Sequence, residues 1–300
     1  MGMLDCAIVG GGPAGLNAAL VLGRSRRNVV LFDDNRARNG VTREAHGFVT
    51  RDGIPPSEFR RIAHEELARY PTVRVKNTRV NDVRKTGSAI QLTAADGVVY
   101  QARKVILATG LKEDLPSVPG IRSFYGTSLF SCPYCDGWER KDEPLVVISE
   151  SQHAFDMAKT VYAWSRDLIL CTNGYFVVSR EERKQLEAKN IRLYEQKIRE
   201  LVGVDGQLRK VVFEDGTEER RTGGFVVSVW SYPTDFGRAL GCELNEHGGI
   251  ATGDFGKTSV EGVFAAGDVS NIVPAQLVVA AASGSRAAIG INSELIEEDF

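Results

Sequence analysis

The sequence predicts an α/β fold with a dinucleotide-binding unit at its start and a second strand–helix–strand unit further along. Three observations predict it. Leu4 to Val9 is a short apolar strand that runs into Gly10-Gly11-Gly12-Pro13-Ala14-Gly15, and Leu16, Ala19 and Leu20 follow at helical spacing. Val29 to Phe32 is a second strand ending at Asp33, so strand, glycine turn, helix and acidic strand end make a complete βαβ unit. Leu145 to Ile148, a helix from Ala154 to Trp164 and a strand from Leu168 to Cys171 repeat that architecture. A length of 300 residues suggests two domains.

Composition narrows the function classes. The 37 basic and 39 acidic residues nearly cancel to −2, and no dense basic run is interleaved with aromatics, so nucleic acid is not an expected partner. No apolar stretch is long enough to span a bilayer. The first residues lead straight into a strand, without the basic region and cleavage site of a secretory leader. Five cysteines with one close pair do not suit a secreted disulfide scaffold, so the expectation is a cytoplasmic protein.

In the first turn, Gly10 allows the tight bend, Gly12 lets the backbone approach a pyrophosphate, and Gly15 lets the helix pack on the strand. The helix N-terminus then faces the phosphates. Asp33 stands where ribose hydroxyls are held; a solvated strand end is the other reading of Asp33 and Asp34. Arg36 to Ile54 is irregular, and its His46 reads as a local hydrogen-bonding residue. Ser57 is expected to cap a helix bearing Phe59, Ile62, Ala63 and Leu67 and closed by Pro71. Val73 to Val75 and Val80 to Val83 are strand pieces, and Ala89 to Thr93 pairs with Val98 to Gln101 across Asp96-Gly97. Lys104 to Ala108 is a buried strand closed by Ala108-Thr109-Gly110, and the proline-bearing stretch Asp114 to Gly120 is a crossing between domains.

Further on, Leu208 to Phe213 begins another hairpin, and Phe225 to Val229 is a buried strand running into Trp230. Gly262 to Asp268 is a strand that delivers an aspartate at its end, and a helix from about Ala275 to Leu295 closes the chain.

Cys132-Pro133-Tyr134-Cys135-Asp136-Gly137 carries the chemistry. Two thiols with two residues between them can close a disulfide reversibly, and a helix N-terminus can lower the pKa of one of them. Pro133 suits the first helical position, and Asp136 is placed to move protons to and from a leaving thiol. Half of a zinc site is the alternative. It would need a second ligand pair, whereas Cys6, Cys171 and Cys242 stand alone and His46, His64, His153 and His247 form no pair. No metal site is expected.

GGGPAG at Gly10 to Gly15, ATG at Ala108 to Gly110, CPYCDG at Cys132 to Gly137 and GVFAAGD at Gly262 to Asp268 occur in this order along the whole chain, with Gln276 near the start of the last helix. Together they resemble the low-molecular-weight thioredoxin reductase family of FAD-dependent disulfide oxidoreductases. The resemblance implies two Rossmann-like three-layer (ββα) domains, the second inserted into the FAD domain. Residues 1–114 and 243–300 would then form the FAD domain and 115–242 the inserted nucleotide-binding-like domain with the cysteine pair. It also implies a homodimer. By the same resemblance Gly10, Gly12, Pro13, Ala14 and Gly15 hold the FAD pyrophosphate. Asp33 holds the adenosine ribose, where the family more often has Glu. Ala108, Thr109, Gly110 and Gly267 join the cofactor-binding set, Asp268 binds the ribitol, and Ala275 and Gln276 sit by the flavin ring. Cys135 is the thiol nearest the flavin, Cys132 exchanges with substrate, and Asp136 is the acid/base.

The inserted domain departs from the family pattern. A second glycine motif is replaced by Ser149-Glu150-Ser151-Gln152-His153-Ala154, and a basic patch by Thr172-Asn173, while Arg180 and Arg183 are expected on a solvated helix face. Trp230 is bulky where a glycine would leave room for a ligand. Direct use of NADPH is therefore put in question. The pattern is similar to atypical branches of the family, in which electrons come from ferredoxin or pass from a small-molecule dithiol through FAD to oxygen, as in gliotoxin- and holomycin-type dithiol oxidases. Those oxidases have His after the second cysteine; here Asp136 stands there, as in the reductases. The readings are an FAD-dependent thiol–disulfide oxidoreductase acting on a thioredoxin-like protein or a small dithiol or disulfide, a conventional NADPH-dependent thioredoxin reductase, and a redox-sensing flavoprotein without turnover.

Overall fold

A computed structural model describes residues 2–270 and 273–300. Along the chain run β1 (Leu4–Val9), α1 (Pro13–Arg24), β2 (Val29–Phe32), α2 (Pro56–Leu67), β3 (Val73–Lys76), β4 (Val80–Thr86), β5 (Ala89–Ala94) and β6 (Val99–Leu107). Next come β7 (Lys112–Asp114), α3 (Ile121–Phe124), β8 (Leu129–Phe130), α4 (Pro133–Asp136), β9 (Leu145–Ile148), α5 (Ala154–Val161), β10 (Leu168–Cys171) and α6 (Arg180–Ala188). They are followed by β11 (Arg192–Tyr194), β12 (Ile198–Val204), β13 (Gln207–Phe213), β14 (Glu218–Arg220), β15 (Gly223–Val226) and β16 (Val229–Ser231). The last are α7 (Phe236–Ala239), β17 (Val263–Ala265) and α8 (Leu277–Asp299). The residues divide into two compact units. Unit 1 is 1–40, 47–112 and 231–300, and unit 2 is 41–46 and 113–230.

In unit 1, β3, β2, β1, β6 and β17 make a parallel sheet, and β4, β5 and the first half of β6 an antiparallel meander. Strands buried on both faces read as unbroken apolar runs, and alternate side chains feed two cores. Cys6, Ile8, Val29, Leu31 and Ile106 face α1 and α8, whereas Ala7, Val9, Val30 and Phe32 meet Val83, Leu92 and Tyr100 of the meander. Helices therefore cover one face and β-structure the other. The helical side is tight: a Cβ on Gly284 of α8 would lie 1.9 Å from the carbonyl oxygen of Ala14 in α1.

Unit 2 repeats the plan. Its parallel sheet runs β11-β10-β9-β15-β8, with the antiparallel β12-β13-β14 as a separate sheet. Leu145, Val147, Leu168 and Leu170 pack with Ala154, Ala158 and Val161 of α5, while Val146, Ile148 and Ile169 pack with Leu201, Val211 and Phe213. Both units are thus three-layer ββα structures.

Several expectations need correction. The two strands expected at 98–101 and 104–108 are one, β6, because its first residues pair with β5 and its last with β1 and β17, while Lys104 finds Glu294 and Glu298 of α8. Ser57 lies inside α2, whose N-cap is Pro55 with no side-chain cap bond. The helix expected to reach Trp164 stops at Val161, and the strand expected to reach Val229 stops at Val226. Trp230, beyond that strand, lies in β16 and is 40% exposed. The last helix starts at Leu277, so Ala275 precedes it and Gln276 is its N-cap. The chain returns to unit 1 at Ser231, before the expected 243, because Tyr232, Phe236 and Leu240 pack against the meander-side core. Strands β11 and β12 had no clear sequence signal.

Candidate active site

In unit 2, β8 leads through Ser131 into a single helical turn. Cys132 is its N-cap and Pro133, buried, its first residue, and the amides of Cys135 and Asp136 both donate to the Cys132 carbonyl at 3.1 Å. A turn this short holds no shape alone. Here Cys132 and Cys135 close a disulfide with Cα atoms 5.3 Å apart, and Gly137 follows because a Cβ there would meet the Pro133 carbonyl at 2.4 Å and the Trp164 ring at 2.8 Å. Tyr134 projects outward, 68% exposed, edge-on to Trp164. Beside the turn, Ser131 Oγ donates to Glu113 at 2.9 Å, and the Tyr125 hydroxyl contacts both groups.

Asp136 is the titratable group of this site. Burial pushes its carboxyl up to about 7, the charge of Glu139 adds to the rise, and His46 and Arg140 oppose it. A group poised there exchanges protons readily at neutral pH. His46 was legible only as a loop histidine. The short segment 41–46 belongs to unit 2, with Ala45 buried and Val41 packed under Gly126, and it sets the His46 Nε2 3.6 Å from Glu139 and 3.6 Å from Glu44. No local pattern could have paired residue 46 with residue 136.

In unit 1, the turn before α1 has the expected form. Gly10 has φ +116, and a Cβ on it would lie 2.1 Å from the Ala108 carbonyl oxygen; a Cβ on Gly15 would lie 1.9 Å from the Gly10 carbonyl oxygen. Gly12, by contrast, faces open space and is the N-cap of a twelve-residue helix with Pro13 next and no side-chain cap. Ala108, Thr109 and Gly110 follow β6, the Ala108–Thr109 peptide against this turn and Gly110 at φ +69, and Thr109 Oγ1 lies 3.5 Å from Thr234 Oγ1. Gly267, at φ +75, packs its Cα side on Ala14, and Asp268 accepts a hydrogen bond from Arg38 at 3.0 Å. Asp33 is buried against Gly11, and Arg60 and His64 of α2 reach its carboxylate, two residues the motif reading missed.

The corresponding turn of unit 2 is different. The Glu150 carboxylate accepts from the Ser117 amide at 3.1 Å and from Asn173 Nδ2 at 2.6 Å, while Ser149 and Ser151 hydrogen-bond each other. Ser149, Thr172 and Asn173 are all buried. These bonds tie the turn to Ser117 and Asn173, while the buried Thr172 Oγ1 has no hydrogen-bond partner. Arg180 is exposed and Arg183 pairs with Glu195 at 2.8 Å. Among the described residues no group of metal-ligating side chains gathers, and no helix is long and apolar enough to cross a membrane.

The model of the pyridine nucleotide-disulphide oxidoreductase family matches residues 4–284. The chain belongs to this family. Within the pyridine nucleotide-disulphide oxidoreductases it is 32% identical to thioredoxin reductase aclD of Aspergillus oryzae, over 98% of this chain and 96% of the relative. TrxB of Bacillus anthracis superposes with a TM-score of 0.96 at 46% identity, covering 99% of this chain and 100% of the other. HlmI gives 0.94 at 37%, covering 99% and 94%. This family member is a disulfide oxidoreductase of the thioredoxin reductase type, and its cofactor is FAD. Unit 1 fits that cofactor. Gly12 leaves a backbone cradle open before an uncapped helix N-terminus, and beside Asp33 the buried Arg60 Nε and His64 Nε2 have no hydrogen-bond partner within the protein.

Proposed function

We propose that this oxidoreductase moves electron pairs between FAD and an external dithiol or disulfide through Cys132–Cys135, without taking electrons directly from NADPH. The observation that carries the reading is the phosphate turn of unit 2, filled by Glu150, Asn173 and two serines. A carboxylate there opposes a pyrophosphate, and serines keep the backbone from approaching one.

When bound, FAD supplies the two-electron acceptor or donor for the cysteine pair. In the oxidising direction, one substrate thiolate attacks Cys132 Sγ, the Cys132–Cys135 bond breaks, and Cys135 leaves as thiolate. The second substrate thiolate attacks the mixed disulfide, forms the substrate disulfide and releases Cys132. The pair of electrons now on the two thiols leaves by way of the cofactor, with dioxygen as final acceptor. In the reducing direction the exchange runs backwards, with ferredoxin as donor and a thioredoxin-like protein or small disulfide as substrate. In both, Asp136, titrating at about 7, passes the proton to or from the departing sulfur, and His46 with Glu139 tunes it. Gly10, Gly12, Pro13, Ala14, Gly15, Asp33, Ala108, Thr109, Gly110, Gly267, Asp268, Ala275 and Gln276 are the proposed FAD contacts. The family resemblance supports a homodimer, and the cysteine usage supports a cytoplasmic setting.

The test is an anaerobic titration of the FAD-loaded protein followed by flavin absorbance. Bleaching by a dithiol or by reduced ferredoxin, but by neither NADPH nor NADH, is expected, and the reagent that works sets the direction. Rapid bleaching by NADPH would overturn the reading in favour of a conventional NADPH-dependent thioredoxin reductase, which Asp136 and the relatives' names support. Replacing Cys135 by Ser should abolish exchange between substrate and flavin.

A further inference from the structure

Asp33, Arg60 and His64 form one polar cluster at the end of β2. The carboxylate lies so close over the glycine turn that a Cβ on Gly11 would be 2.2 Å from Asp33 Cγ. The Asn35 amide donates to Oδ1 at 2.9 Å, and Arg60 Nη2 donates to Oδ2. Arg60 Nη1 also holds the Asn35 side chain at 2.7 Å. His64, one turn along α2 from Arg60 and on the same face, brings Nε2 to 3.6 Å from Oδ2. Each carboxylate oxygen keeps a second lone pair. Arg60 Nε and His64 Nε2 are buried with no hydrogen-bond partner in the protein. Polar groups of this kind are ordinarily satisfied. A vicinal diol, whose hydroxyls both donate and accept, can satisfy an acceptor and two nitrogens at one point.

We infer that Arg60 and His64 are positioning and recognition residues of the ribose pocket: Arg60 fixes the Asp33 carboxylate, and Arg60 Nε and His64 Nε2 meet the adenosine hydroxyls of FAD. The inference rests on the FAD reading above. It explains how Asp33, one methylene shorter than the usual Glu, serves at this position. The Asp33 carboxylate is fixed by Arg60, and α2 brings a second wall of polar groups beside it.

The experiment compares two probes on stripped apoprotein, FAD and its 2′-deoxyadenosine analogue, by flavin fluorescence titration. Wild type should bind FAD about tenfold tighter than the analogue, the ordinary worth of one hydrogen bond to a charged group. In Arg60→Met and in His64→Leu that ratio should fall at least threefold, and His64→Gln should recover part of the loss. Because the readout is a ratio, a general folding defect weakens both probes and leaves the ratio intact. An undiminished ratio in both variants, or no preference in wild type, overturns the inference. Failure of wild type to bind FAD at all would instead sink the FAD reading.

Discussion

Asp136 shows how a single side chain takes its chemistry from its surroundings. Its carboxyl is raised from 3.8 to about 7 chiefly by burial, with Glu139 adding to the rise. The thiol-exchange rate should therefore carry a limb with an apparent pKa near 7 that is lost in Asp136→Asn. The neighbours give signs. Glu139→Gln removes a charge that raises the value and should move the limb to lower pH; His46→Gln removes one that lowers it and should move the limb up. Stability follows the same linkage. Between about pH 4 and 7 the folded state keeps a proton that the unfolded chain has lost, so stability should fall as pH rises through that window. Asp136→Asn should abolish the fall, about 2 kcal/mol after discounting for solvent contact, measurable by urea unfolding at pH 4.5 and 8. Burial alone does the opposite service for the remaining thiols: Cys6 and Cys171 are pushed up, which keeps them protonated and out of the exchange chemistry.

Among the elements, the glycines of the helical layer separate folding from binding. Gly284 lies where α8 crosses α1, and the added methyl of Gly284→Ala would collide with the Ala14 backbone. That variant should lose about 2 kcal/mol or more of stability in a thermal melt, because neither helix backbone can yield cheaply. Gly12→Ala adds the same methyl into open space at a residue with an ordinary φ of −78, so the fold should survive while FAD binding weakens at least tenfold. The filled turn of unit 2 is structural in its own right. Glu150→Ala leaves the buried Asn173 Nδ2 without its acceptor and should cost about 1 kcal/mol of stability, read as a lower Tm.

For the molecule as a whole, two units with separate cores imply separable stability. Unit 2 has its own helix-side and meander-side cores, so residues 113–230 expressed alone should show a cooperative melt. The fragment lacks 41–46, and with it the buried Ala45 and the Val41 backbone packed under Gly126, so its melt should come earlier than that of a fusion restoring the segment. A fragment with no cooperative transition would mean that the division of the chain is not a division of stability.

The sequence by itself determined the α/β class, the first βαβ unit, the disulfide turn, the altered second turn and the order of the motifs. These are local: apolar runs, glycines at fixed offsets and two cysteines three positions apart act through neighbours within a few residues. Even β2, read as Val29 to Phe32, has those bounds in the fold. Tertiary structure alone decided what meets across long separations. It placed His46 beside the charges around Asp136, carried Arg60 and His64 from α2 to Asp33, fused two expected strands into β6 by giving them different partners, and returned the chain to unit 1 at Ser231. Such pairings depend on which surfaces the packed layers bring together. A charge tens of residues distant in the chain leaves no trace in the local periodicity, and it perturbs a carboxylate only once burial has removed the intervening water.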